Sequence, residues 1–119
     1  MTRSPTYKNR VAFETLASLA FGSITDSYAS VGSASLAVIR VVKFYNGTNQ
    51  DALVSTDAST NHDIVPANSG VVYDLSANKN TPDGFHLVKG TQISVKRAGA
   101  VSPTSGSFYV TRIYGDLSP

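Results

Sequence analysis

Cysteine is absent from the 119 residues, which excludes a disulfide frame and a thiolate site. Its absence assigns no compartment, because reducing and oxidising settings both tolerate such a chain. Charged residues are also scarce, at 15% against about a quarter in an ordinary globular domain, and glutamate occurs once. That excludes the Glu-, Lys- and Arg-coated surface of a helical protein. No apolar run approaches the roughly 20 residues of a membrane span. The stretch 16–24 is interrupted by Ser18, Gly22 and Ser23 and lacks the order of parts of a signal peptide. A soluble protein with no export signal is expected.

Ser, Thr, Ala, Gly and Asn fill the place of the missing charge, as on an all-β surface. Charge is also depleted where one subunit covers another, so part of the outside is expected to meet other subunits. One domain is expected at this length, large enough for a single core without staples. The net charge of +2 is too small to argue for nucleic acid. Positive charge is uneven, however: Arg3, Lys8 and Arg10 precede any acid. Residues 1–10, with Pro5, read as an extended basic arm suited to an acidic neighbour, and residues 11–119 as the domain.

The organising stretch is 36–75. An apolar run over 36–45 stops at Asn46-Gly47, and shorter apolar stretches follow at 52–55, 64–66 and 71–75. The segments between them, NGTNQ, TDASTNH and PANSG, are turn residues. In the long strand, Val38, Arg40, Val42 and Phe44 alternate with Ile39, Val41, Lys43 and Tyr45, which predicts a central strand covered on both faces. Asn46-Gly47 predicts a hairpin turn into a strand over 51–56. Pro66 makes 63–66 an edge strand, because it cannot donate to a ladder. Residues 16–25 predict a strand after a helical turn, and 26–35, 76–84 and 98–106 read as loops. A short strand is expected at 85–88. Residues 91–97 alternate, with Ile93 and Val95 inward and Gln92, Ser94 and Lys96 outward, and 107–114 closes the fold. The fold class is all-β: an antiparallel β-sandwich, or a small barrel, of about seven to eight short strands.

No constellation reads as catalytic, and no cofactor or metal is expected. Asp57, His62 and Asp63 are close in sequence but match no ligand spacing, and the two aspartates read as acceptors for their own turn backbones. His86 is the only other histidine. Asn46-Gly47-Thr48 has the pattern of a glycosylation sequon and reads as a turn. Phe44, Tyr45, Tyr73, Phe108, Tyr109 and Tyr114 lie in strand runs and are expected in the core, whereas Tyr7 and Tyr28 lie outside them. The candidate partner contacts are therefore Arg3, Tyr7, Lys8, Arg10 and Tyr28.

The order of features from Val41 to Lys79 resembles that of small virion proteins of tailed bacteriophages. An apolar strand ends in a polar Asn turn, VVKFYNGTNQ, and LVSTDASTNHDIVPANSGVVYDLSANK follows. In that group a "VSxD" strand end leads to "HDxVPA", then to an apolar strand closing in "DL" and an "NK" loop. The segments LASLAFGSITDSYASVG and GTQISVKRAG…TSGSFYVTRIYG are similar to the same group. The resemblance implies a β-sandwich present in many copies on a particle assembled in the host cytoplasm. Its partners would be capsid, neck or tail subunits and copies of itself. It places Asp57, His62 and Asp63 at a corner, Pro66 at an edge and Asp74 before the loop, and assigns none a binding role. A head–tail or fibre adaptor at the neck or tail is the expected function. Capsid decoration and host attachment through a glycan are the alternatives, and neither a membrane nor nucleic acid is an expected partner.

Overall fold

The computed structural model of the chain describes residues 10–75 and 87–116. Arg3, Tyr7, Lys8, the loop over 76–84, Phe85 and His86 lie outside these residues. Nine strands are described: β1 (Arg10–Phe13), β2 (Ala17–Ala20), β3 (Ala29–Ser30), β4 (Ile39–Asn46), β5 (Ala52–Ser55), β6 (Asp63–Val65), β7 (Ser69–Asp74), β8 (Ser94–Arg97) and β9 (Ser107–Asp116). They form two packed antiparallel sheets, a β-sandwich. The first has the order β1-β9-β4-β7, with β2 also paired to β9; the second has the order β3-β8-β5-β6.

The count exceeds the expected seven to eight because β1 precedes the expected 16–25 strand and the two-residue β3 lies within 26–35, which was expected to be a loop. β1 starts at Arg10, inside the expected arm, and pairs with the end of β9 (Arg10 opposite Asp116). β2 pairs with the start of β9, and the helical element is a single 3₁₀ turn after it, Phe21–Ser23, not before it. One strand thus holds two short partners laid end to end, and Glu14 to Leu16 turn between them.

β4 lies between β9 and β7, as the apolar run predicts, but it is covered on one face only. Val42 and Phe44 are buried, and Lys43 and Tyr45 are exposed. Two residues of β4 oppose one of β9 between Ile39 and Val41, so Arg40 is the extra residue of a β-bulge. The bulge shifts the alternation by one and brings Ile39 to the same inner face as Val42. The core consists of these side chains with Ile24, Val31, Val54, Val65, Ile93, Val95, Phe108 and Val110.

Asn46-Gly47 does not make a hairpin. β4 and β5 belong to different sheets, and the NGTNQ segment carries the chain across the sandwich. Asn46 is fully buried there. Its Nδ2 donates to the carbonyls of Gln50 (2.8 Å) and Val65 (2.9 Å), and its Oδ1 accepts from Thr48 N (3.0 Å) and Thr48 Oγ1 (2.6 Å). That is the full capacity of an amide side chain. The bond to Val65 ties the end of β4 to an edge strand of the other sheet. The sequon asparagine is therefore enclosed in the folded chain.

β6 is an edge strand, as Pro66 predicts. Ile93 and Val95 are inward, but Ser94 is not exposed as expected: it is buried opposite Ser55, which is also buried. Beside them Tyr28 crosses the outside of the second sheet. Its hydroxyl donates to Asn61 Oδ1 (2.5 Å), and Lys96 Nζ stands 4.9 Å from its ring centre.

Candidate functional site

The outer face of the first sheet is read from its registers. Tyr45 is opposite Gly70 on one side and Tyr109 on the other, and Tyr109 is opposite Ser18. The next row is Val72, Lys43 and Thr111, and the row after it is Asp74, Val41, Ile113 and Phe13. One end of this face is aromatic and hydroxylated; the other is apolar. Tyr45 and Tyr73, both exposed, and the half-buried Tyr109 correct the expectation that these tyrosines lie in the core, which holds for Phe44 and Phe108. The strand pattern alone does not show which face of β4 is covered, because the bulge at Arg40 disturbs it.

The apolar end continues into a cleft of about 730 Å³. Its rim carries Leu36, 79% exposed, Phe13, 66% exposed, and Leu16, 57% exposed. Side chains of this size remain in water at a cost unless something covers them. Its floor holds an ion pair. Arg112 projects from the inner side of β9, opposite Val42, and its Nε stands 3.3 Å from Glu14 Oε1. Each side chain is 7% exposed. The Nε–H is not aligned for a hydrogen bond, so this contact is an attraction between charges.

The pair draws three chain segments together. Glu14 Oε2 accepts from the backbone of Leu36 (2.9 Å) and Ala37 (3.0 Å). Arg112 Nη1 donates to the Ser33 carbonyl (2.7 Å), and Glu14 N donates to the Arg112 carbonyl (2.9 Å). Gly32, at φ +72°, lets the loop pass close to β2: a Cβ there would stand 2.6 Å from the Ala17 Cβ. Two rim residues are thus held from below, Phe13 as the direct chain neighbour of Glu14 and Leu36 by the carboxylate. Sequence reading did not single out Glu14 or Arg112. The available signal was a lone glutamate and an arginine within the apolar closing strand FYVTRIY.

The residues read as a possible metal set are engaged separately. Asp57 Oδ1 accepts from Thr60 N (2.7 Å), Ser59 N (2.9 Å) and Ser55 Oγ (2.8 Å). These bonds, the Thr60 amide first, hold its carboxyl well below the usual carboxylate range. Asp63 Oδ1 accepts from Ile64 N (2.8 Å), and its Oδ2 accepts from the Tyr73 hydroxyl, which pushes that phenol up to about 12. Asp57 therefore acts as the expected turn acceptor, whereas Asp63 lies in β6 and accepts from the next amide of that strand and from the Tyr73 hydroxyl. His62 Nδ1 accepts from Thr56 N (3.1 Å). Among the described residues no group of three His, Cys, Asp or Glu could hold a metal ion. Among them, too, no helix is long and apolar enough to cross a membrane.

Of the expected partner contacts, Tyr28 is half-buried and bonded within the chain, and Arg10 opens β1. Tyr28 is not among the residues lining the cleft. No protein-family model matches this chain, and no curated protein or solved structure matches it.

Proposed function

We propose that this chain is a non-enzymatic structural protein of a tailed-bacteriophage virion, built into the particle in many copies at the neck or tail. There it would join one component to the next as a head–tail or fibre adaptor; decoration of the capsid is the alternative placement. The order of features between Val41 and Lys79 supports the phage reading. The observation that carries assembly is the exposed trio Phe13, Leu16 and Leu36 around a cleft whose floor is fixed by Glu14 and Arg112. A prebuilt apolar socket lowers the ordering cost of docking a neighbouring subunit. Ring symmetry then multiplies a weak contact by copy number.

The test combines light scattering of the purified chain with pull-downs against capsid, neck and tail subunits. Oligomerisation, or capture of one of these subunits, is expected, and the double variant Phe13→Asp, Leu36→Asp should lose it while melting as the parent does. A parent chain that stays monomeric and captures none of them overturns the proposal.

A further inference from the structure

We propose that Tyr45 and Tyr109 form a stacking platform for a neutral glycan on the outer face of the first sheet. The inference goes beyond assembly and uses the opposite end of that face from the cleft. The two residues are direct cross-strand partners on β4 and β9. Their rings are 27° from parallel, with centres 6.3 Å apart, and Tyr45 is 39% exposed. Glycine gives them room. A Cβ on Gly47 would stand 3.2 Å from the Tyr45 ring and 3.5 Å from the Tyr109 ring, and one on Gly70 would stand 3.3 Å from the Tyr45 ring. An aromatic ring beside a cross-strand glycine covers backbone that no side chain of its own protects. Tyr45 thus rests against glycine backbone with its outer side in water, and the half-buried Tyr109 packs beside it.

A ligand that stacks here needs a flat apolar face and a polar edge. A nucleobase and a pyranose both qualify, but a nucleobase brings phosphates, which call for a cationic track. In the two rows formed by Gly70, Tyr45, Tyr109 and Ser18 and by Val72, Lys43 and Thr111, Lys43 is the single cation. The other groups bordering the rings are the exposed Val72, which suits the apolar face of a sugar, and the hydroxyls of Ser18 and Thr111, which suit its hydroxyls. A protein neighbour suits the far end better, where Val41, Ile113 and Phe13 replace the hydroxyls. The chemistry thus selects an uncharged hexose or N-acetylhexosamine chain.

The full chain is titrated with maltohexaose, cellohexaose and chitohexaose and screened on an array of neutral oligosaccharides. Tyrosine ring protons are followed by NMR, with oligo-dT as the control. Binding of at least one neutral oligosaccharide is expected, with shifts at Tyr45 and Tyr109. Tyr45→Ala and Tyr109→Ala should weaken it roughly tenfold or more, the scale of losing one stacking ring, whereas Tyr45→Phe should retain most of it. Three results overturn the proposal: no binding on the array, binding indifferent to both alanine variants, or ring shifts caused only by oligo-dT or by a virion subunit. Subunit capture is measured separately, so loss of one reading leaves the other standing.

Discussion

Arg112 Nε stands 3.3 Å from Glu14 Oε1 in a chain with one glutamate, and the other oxygen of that carboxylate holds two backbone amides. The two partners are therefore unequal. Glu14→Leu leaves a buried guanidinium without its counter-charge and removes the acceptor for Leu36 N and Ala37 N. Arg112→Met leaves Glu14 with both amides. Breaking a buried pair from one side costs about 3–5 kcal/mol, and Glu14→Leu should fall at the top of that range and Arg112→Met at the bottom. Urea unfolding gives the order. The reverse order would mean that Oε2 is not what holds the 32–37 loop.

Asn46 makes four hydrogen bonds at zero exposure and joins the two sheets. Asn46→Ala should cost more than about 2 kcal/mol, because the Val65 carbonyl and Thr48 amide lose their partners in a dry site. Asn46→Asp keeps the acceptors, removes both donors and buries a charge, so it should be no better tolerated. Thermal melts compare the two. A loss under about 1 kcal/mol for Asn46→Ala would show that water replaces the side chain.

Gly106 and Gly90 share a positive φ, +86° and +91°, and differ in their surroundings. A Cβ at Gly106 would stand 2.0 Å from the Gly47 carbonyl oxygen; at Gly90 nothing lies within 4 Å. Gly90→Ala should cost only the left-handed conformation, about 1–2 kcal/mol. Gly106→Ala must also push its own backbone away from that of Gly47 and should cost more than about 3 kcal/mol. Chemical denaturation of both variants checks this, and equal losses would remove the steric argument.

Asp57 is an acid whose folded value lies below its ordinary 3.8, so its contribution is complete above 3.8 and is lost as the pH falls beneath it. The amide signals of Ser59 and Thr60 should hold steady from pH 7 to about 4 and move only at lower pH. Asp57→Asn, which keeps an acceptor but does not titrate, should flatten that response. A midpoint at the ordinary value would show that these bonds do not form in solution.

The all-β class, the central position of the 36–45 run and the edge strand before Pro66 were legible because alternation and proline report directly on pairing. The partner of each strand was not. Asn46-Gly47 has the residues of a hairpin turn, yet the asparagine is consumed by a distant carbonyl, and a turn motif does not record which sheet the chain enters next. The bulge at Arg40 hid the face of β4 that carries Tyr45. The ion pair escaped notice because Glu14 and Arg112 are 98 residues apart, by their numbers, and meet only after β1 and β2 close on β9. Local pattern reports one residue's neighbours along the strand, and the cleft is made of neighbours across it.

The chain changes sheet at most of its hand-overs, and among the described strands only β5 and β6 are both consecutive and paired. That hairpin alone can zip early from nearby residues. Every other ladder waits for loop closure over longer stretches, so contact order is high and folding belongs to the slow, millisecond-to-second end of the range. During that interval the apolar strands are open to the wrong partners, so the chain is most vulnerable to misassembly before it is folded.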